Sequence, residues 1–279
     1  AYQNAKWRAD SNTRSNVIRA IADHIDQNFE QLVEVEVNDN GKRIREVNGQ
    51  MSTLGGWYRH FANELEKLEA DKLTLDIKDV TARLELIPYG VVAAITAWNS
   101  PLMIAAWKVA PALAAGNAVI IKPSEMASAS TVVFANLIAP VTPAGLINVV
   151  TGLGNEAGAA LVAAKKVRKV TFTGSEIGGA KVAGIAAEHV KPATLELGGK
   201  SPQLVFADAN LENTVNGVIS GIFLSNGQTC VAGSRLIIHQ SIKDKFINKL
   251  LDRIAKFKFG DPMDYYTDIG PVANKPQFE

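Results

Sequence analysis

The chain has 279 residues, of which 47% are hydrophobic and 20% charged, with 29 basic against 28 acidic side chains. That length is enough to bury a large core, and about 100–200 residues per domain predicts two domains. The net charge of +1 argues against nucleic acid or an anionic membrane surface as a partner, and the single cysteine excludes an internal disulfide and fits a reducing, cytoplasmic compartment.

The opening stretch AYQNAKWRADSNTR is polar and lacks the pattern of a signal peptide. Val17, Ile18, Ile21, Ala22, Ile25, Phe29, Leu32 and Val33 recur at helical spacing, which predicts an amphipathic helix over 12–37 ended near Asn40 and Gly41. A second helix is expected over 44–69. LTLDI and TARLELIPYG alternate apolar and polar residues, as an antiparallel ribbon at about 71–88 would. Residues 91–121 are strongly apolar, but Asn99, Pro101, Lys108, Pro111, Gly116 and Asn117 divide them below the roughly 18–20 residues of a membrane span.

From Gly90 the apolar runs VVAAI, AVIIK, INVV, KVTF and ATLEL alternate with helical stretches at 102–115, 126–139, 155–164 and 176–188. That alternation predicts an α/β fold with a parallel sheet, whose ligands bind beyond the carboxyl ends of the strands. After Gly198 come PQLVF, a helix over 211–224, a cysteine loop, RLIIH and a helix over 241–257. They read as the opening of a second α/β unit, so the expected division is 1–197 and 198–279. The last twenty residues are rich in turns and carry no closing element.

The loops after the strands hold the candidate chemistry. Asn99 in TAWNSP is either a neutral donor for an oxyanion or a turn former before Ser-Pro. Lys122 and Glu125 in KPSE either clamp a ribose diol, with Glu125 opposing a 2′-phosphate, or punctuate the start of a helix. TGSEIGG supplies Gly174 and Gly179, which allow backbone N–H groups near a phosphate, but it matches neither common nucleotide fingerprint. Glu196, in an apolar strand before two glycines, is either a general base whose pKa is raised by desolvation or the partner of a nearby cation. Cys230 in SNGQTCVAGSR is either a small core residue or a nucleophile among turn-forming neighbours. The four histidines are scattered, and no cluster has metal-ligand spacing.

TAWNSP, IIKPSE, FTGS, ELGGKSP and GQTCVAGSR, in that order, resemble the aldehyde dehydrogenase superfamily, with 34 residues from Glu196 to Cys230 and 131 from Asn99 to Cys230. The likeness extends from the helical start to TDIGPV near the end. It implies a Rossmann-like NAD-binding domain followed by the first part of an aldehyde dehydrogenase-like catalytic domain. It also implies oxidation of a small-molecule aldehyde with NAD, NADP being the other possible cofactor, and a homo-oligomer with no nucleic-acid or membrane partner. By resemblance, Cys230 is the nucleophile, Asn99 the oxyanion donor and Glu196 the base. Lys122, Ser124 and Glu125 hold the adenosine ribose, Gly154 forms the adenine-side turn, Gly174, Ser175 and Gly179 form the pyrophosphate loop, and Ile95, Ala97, Trp98 and Leu197 are walls against the cofactor.

The chain departs from the family pattern at Ala97, where Pro is frequent, and at Glu176, where Thr is frequent. The family's Glu-x-Phe-Gly-Pro segment falls beyond Glu279, so the resemblance implies a C-terminally truncated chain in which little turnover is expected. Two neighbouring readings stay open: a CoA-acylating relative, against which Glu196 points to water as the acyl acceptor, and a dinucleotide-binding fragment without catalysis.

Overall fold

The computed structural model describes residues 5–65, 67, 72, 73, 80 and 82–279. Four helices open the chain: α1 (Ala5–Ala9), α2 (Ser11–Gln27), α3 (Phe29–Asn40) and α4 (Ile44–Leu65). The single helix expected over 12–37 is therefore two. Asn28 breaks it by leaving the helical region at φ −112° and ψ 25°: its backbone N–H closes the last turn of α2 on the His24 carbonyl at 3.1 Å, and its side-chain Nδ2 caps the same carbonyl at 2.8 Å. Of the second helix expected over 44–69, α4 accounts for Ile44–Leu65; Lys67 is in a turn, and 66, 68 and 69 lie outside the described residues. Of the expected ribbon, β1 (Lys72–Leu73) and β2 (Ala82–Arg83) pair antiparallel. Residues 71, 74–79 and 81 lie outside the described residues, and 84–89 form no strand.

The main sheet holds β3 (Val91–Ile95), β4 (Ala118–Lys122), β5 (Ile147–Val149), β6 (Val167–Thr173) and β7 (Ala193–Glu196), all parallel, in the order β5-β4-β3-β6-β7. The crossovers are α5 (Pro101–Ala114), α6 (Ala129–Ile138), α7 (Ala159–Ala163) and α8 (Glu176–Glu188). The chain belongs to the α/β class expected from its alternating runs. Ala94, Val119 and Ile121 pack on one face with α2, α4, α5 and α6, while Ala93, Ile95, Val170 and Phe172 pack on the other with α7 and α8. Burial on both faces is why VVAAI and AVIIK read as unbroken apolar runs.

Beyond this sheet, β8 (Pro202–Val205) pairs in parallel with β9 (Arg235–Ile238), and their inner face packs on α9 (Leu211–Phe223) and α10 (Lys243–Ile254) through Val205, Val215, Val218 and Phe246. The final turns run along the α3–α4 junction before a short α11 (Lys275–Phe278). Ile44 N donates to Pro262 O at 2.8 Å, and Arg45 Nη2 to Thr267 O at 2.9 Å. No helix among the described residues is long and apolar enough to cross a membrane.

Two acids on α3 cap the helices that follow the first two sheet loops. Glu36 Oε2 accepts from Leu102 N of α5 at 3.3 Å, and Asp39 Oδ2 accepts from Ser130 N of α6 at 3.1 Å. A carboxylate at a helix N-terminus satisfies otherwise orphaned donors. Glu36 is fully buried, and desolvation pushes its carboxyl up from 4.5 to about 7 against the pull of the Lys42 ammonium. The folded state then binds more protons than the unfolded state between those values, so stability falls as pH rises through that window. Glu36→Gln removes this dependence. Urea unfolding is expected to show the variant gaining about 1–3 kcal/mol on wild type between about pH 4.5 and about pH 7, and parallel pH curves would refute the assignment.

Candidate active site

Because β3, β4, β6 and β7 are parallel, their carboxyl ends open on one edge, where the order of connections reverses about β3. Ile95 pairs in register with Lys122 on one side and Phe172 on the other. Thr96 N donates to Lys122 O at 3.1 Å, and Gly174 N to Glu196 O at 3.1 Å, so the loops leave the sheet side by side. Ile95 is buried, and Ala97 and Trp98 are half-buried in the loop above it.

Lys122 is 2% exposed, and its Nζ lies 3.0 Å from Glu125 Oε2. Glu125 Oε1 also accepts from Gly154 N at 3.4 Å, so three residues named separately from the sequence meet here. Desolvation pushes the Glu125 carboxyl up, but its own backbone N–H, the Lys122 ammonium and the Gly154 N–H together hold it below the ordinary carboxylate value. The helix-punctuation alternative fails. Helix α6 starts only at Ala129 and takes Asp39 as its cap, while Ser124 Oγ accepts from Met126 N within its own turn.

The Gly174 loop is built around Phe172 and Leu197. A Cβ on Gly174 would stand 2.6 Å from Phe172 Cζ, and one on Gly179 would stand 2.5 Å from Leu197 Cδ2. Ser175 caps α8, its Oγ accepting from Gly178 N at 3.1 Å. Backbone therefore lines the approach to the start of α8, with donors and the helix dipole aimed outward.

Glu196 corrects one expectation. The apolar strand predicted a desolvated carboxyl, yet Glu196 is exposed. The physical reason is its place: β7 has four residues, pairs only with β6 at the edge of the sheet, and ends at Glu196 before the exposed Gly198 and Gly199. Its electrostatic neighbour is Lys108 of α5, which the sequence showed only as an interruption of an apolar run. Lys108 is buried, and its Nζ donates to Thr171 Oγ1 at 3.0 Å. Burial pushes the ammonium down to about 8, and Glu196 pulls it back up. The signal available in the sequence was a lysine at a helix position whose neighbours are all apolar.

The cysteine loop begins with three successive left-handed residues, Ser225 at φ 52°, Asn226 at φ 56° and Gly227 at φ 77°. Buried Gln228 follows: its Nε2 donates to Ser225 O at 3.0 Å and its Oε1 accepts from Ala273 N at 2.9 Å. Cys230 is exposed, unlike a thiol packed in a core. Its backbone carbonyl lies 3.0 Å from where a Cβ on Gly199 would be, so the loop after Glu196 runs against the cysteine loop. Asn99 Nδ2 donates to Gln228 O at 2.8 Å. A primary amide has two N–H donors; one fixes the side chain on the cysteine loop, and the other has no partner among the described residues.

A model of the aldehyde dehydrogenase family matches residues 1–279. A (Z)-2-((N-methylformamido)methylene)-5-hydroxybutyrolactone dehydrogenase of Acinetobacter baylyi is 41% identical over 281 residues, covering 100% of this chain and 58% of that protein. A chloroplastic betaine aldehyde dehydrogenase of Beta vulgaris is 40% identical, covering 98% of this chain and 56% of its own. The crystal structure of a Staphylococcus aureus betaine aldehyde dehydrogenase in complex with NAD+ superposes with a TM-score of 0.96 at 37% identity, over 99% of this chain and 55% of that one. The chain thus spans little more than half the length of these relatives.

The glycine contacts are open to a paired substitution. Gly174→Ala is expected to cost about 1–3 kcal/mol by overpacking against Phe172. Gly184→Ala, in the same segment with nothing within 4 Å of its Cβ, is expected to be neutral or to stabilise by up to about 1 kcal/mol. Equal effects in urea unfolding would contradict the packing described.

Proposed function

The chain belongs to the aldehyde dehydrogenase family, and on that premise we propose that its site oxidises an aldehyde to a carboxylic acid, with Cys230 as nucleophile, Asn99 as oxyanion donor and Glu196 as base. The observation that carries this reading is the hydrogen bond that sets the Asn99 amide on the loop of an exposed cysteine. The division into a dinucleotide-binding unit over 1–197 and a second unit over 198–279 belongs to the same reading, supported by the separate core under β8 and β9.

The strand-end loops fit a dinucleotide. Lys122 and Glu125 offer an ammonium and a carboxylate to ribose hydroxyls, and the backbone N–H groups at the start of α8, behind Gly174, offer donors to a pyrophosphate. Ser124 and Gly154 flank the ribose pair, and Ile95, Ala97, Trp98 and Leu197 supply apolar walls. NAD, when bound, supplies the acceptor for the hydride that leaves the aldehyde carbon.

The Cys230 sulfur, as thiolate, forms a C–S bond to the carbonyl carbon, and the C=O π electrons move to oxygen. The free N–H of Asn99 and the backbone N–H of Cys230 donate to that oxyanion, which stabilises the charge as it develops. Once the hydride has gone, a thioester remains on Cys230. Glu196 takes a proton from water, the water oxygen bonds to the acyl carbon, and the C–S bond breaks with its electrons returning to sulfur. A carboxylate at Glu196 can take the proton of an attacking water, which favours water over CoA as acyl acceptor.

A reducing compartment, cytoplasmic in this reading, keeps the thiol available. A homo-oligomer is supported by exposed Leu84, Leu86, Ile87 and Tyr89 in the segment after the ribbon. Partners among nucleic acids or membranes have no basis in the balanced charge.

An assay of the intact protein with NAD and a panel of aldehydes, betaine aldehyde and aminoaldehydes among them, is expected to show NADH formation. Cys230→Ala should abolish it, and Asn99→Ala should lower kcat about 10²–10³-fold. Turnover that survives Cys230→Ala would sink the assignment. Glu125 held as a carboxylate repels a 2′-phosphate, so Glu125→Gln is expected to raise kcat/KM with NADP relative to NAD by about tenfold; an unchanged ratio would remove Glu125 from cofactor choice.

A further inference from the structure

Residues 36–46 carry none of the motifs discussed above, yet they reach the Asn99 loop, the start of α6 and the cysteine loop. Glu36 and Asp39 cap α5 and α6, the helices that follow the Asn99 loop and the Lys122–Glu125 turn. Helix α3 then ends at Gly41, at φ 72°, and the turn brings Lys42 inward. Lys42 Nζ donates to Ser100 Oγ at 2.6 Å and to Gln50 Oε1 at 2.9 Å, and Ser100 is the residue after Asn99. Four residues on, in the first turn of α4, both carboxylate oxygens of Glu46 accept the Ser225 N–H, each at 3.0 Å. The Glu46 side chain is 10% exposed and pairs with Arg43.

We propose that Glu46 is a positioning residue for Cys230: by holding Ser225 N–H it fixes the left-handed turn at 225–227, and through Gln228 it sets the cysteine loop against Asn99. Ser225 and Asn226 are non-glycine residues in a backbone region that costs free energy, so the turn persists only where its surroundings over-determine it. Glu46 supplies a charge-assisted acceptor to a buried N–H that would otherwise be unpaired. Asn226 adds a tie from the other side, its Nδ2 donating to Pro271 O at 2.8 Å. Gln228 passes the constraint on: its side chain grips Ser225 O, and its own carbonyl receives Asn99 Nδ2. The dinucleotide loops at Lys122 and Gly174 make no contact with this chain of bonds, so the effect of Glu46 falls on the reacting sulfur and leaves cofactor affinity alone.

The inference rests on Cys230 as nucleophile, so its test has two arms. In the intact protein, Glu46→Ala is expected to lower kcat about 10–100-fold, the size of effect that misplacement of a reacting group by about 1 Å produces. The NAD dissociation constant should stay within about threefold. Glu46→Gln keeps one acceptor oxygen and should fall between the two; if Glu46→Ala does not fold, Glu46→Gln against wild type carries the same comparison. The second arm needs no turnover: hydrogen exchange in the peptide spanning 225–233 should rise in Glu46→Ala while the peptide spanning α8 is unchanged. A kcat within about twofold of wild type, NAD affinity falling in step with kcat, or unchanged exchange at 225–233 would each overturn the proposal. If wild type oxidises no aldehyde, the reading of function fails, and the exchange arm alone decides whether Glu46 holds the Cys230 loop.

Discussion

One hydrogen bond, from Asn99 Nδ2 to Gln228 O, joins two parts of the chain 129 residues apart, and the geometry of the site depends on it. Asn99 belongs to the loop after β3, the central strand, and Gln228 to the loop that presents Cys230. A donor and a sulfur carried on separate elements act on one carbonyl only if their spacing is held to a fraction of an ångström. The amide spends one N–H on the cysteine loop, which leaves the other for the oxyanion role proposed above.

Around the strand-end loops, polar groups are buried at a cost in free energy. Lys42, Lys108 and Lys122 each keep an ammonium largely out of water, and Glu36 keeps a carboxyl there. Burial lowers the pKa of Lys42 and Lys108 and raises that of Glu36. Buried charges are weak sources of stability, because desolvation opposes their pairing. Here each touches a segment beside a strand-end loop: Lys42 at Ser100, Glu36 at Leu102, Lys108 at Thr171, Lys122 at Glu125. They trade stability for fixed geometry where the chemistry is proposed to occur.

What could be read in advance followed from locality. VVAAI and AVIIK matched β3 and β4 residue for residue, since strands buried on both faces leave continuous apolar runs. The Lys122–Glu125–Gly154 meeting and the Asn99–Cys230 neighbourhood were legible only because five short motifs occur in one order. The break at Asn28 was hidden because Phe29, Leu32 and Val33 continue the helical spacing across it. The exposure of Glu196 was hidden because an apolar run does not show whether its strand lies at an edge. The bonds from Glu36 to Leu102 and from Glu46 to Ser225 span 66 and 179 residues, so no local pattern announces them.

The central claim is that Cys230 carries the acyl group and Glu196 releases it to water. Its most direct test is to mix the Glu196→Gln form of the intact protein with NAD and an accepted aldehyde, quench in acid, and map the adduct by peptide mass spectrometry. The account predicts that the peptide containing Cys230 gains the mass of the acyl group, the aldehyde less one hydrogen replacing the thiol proton, and that wild type treated alike shows little of it. An unmodified Cys230 while NADH forms, or an acyl group found on another side chain, would contradict it.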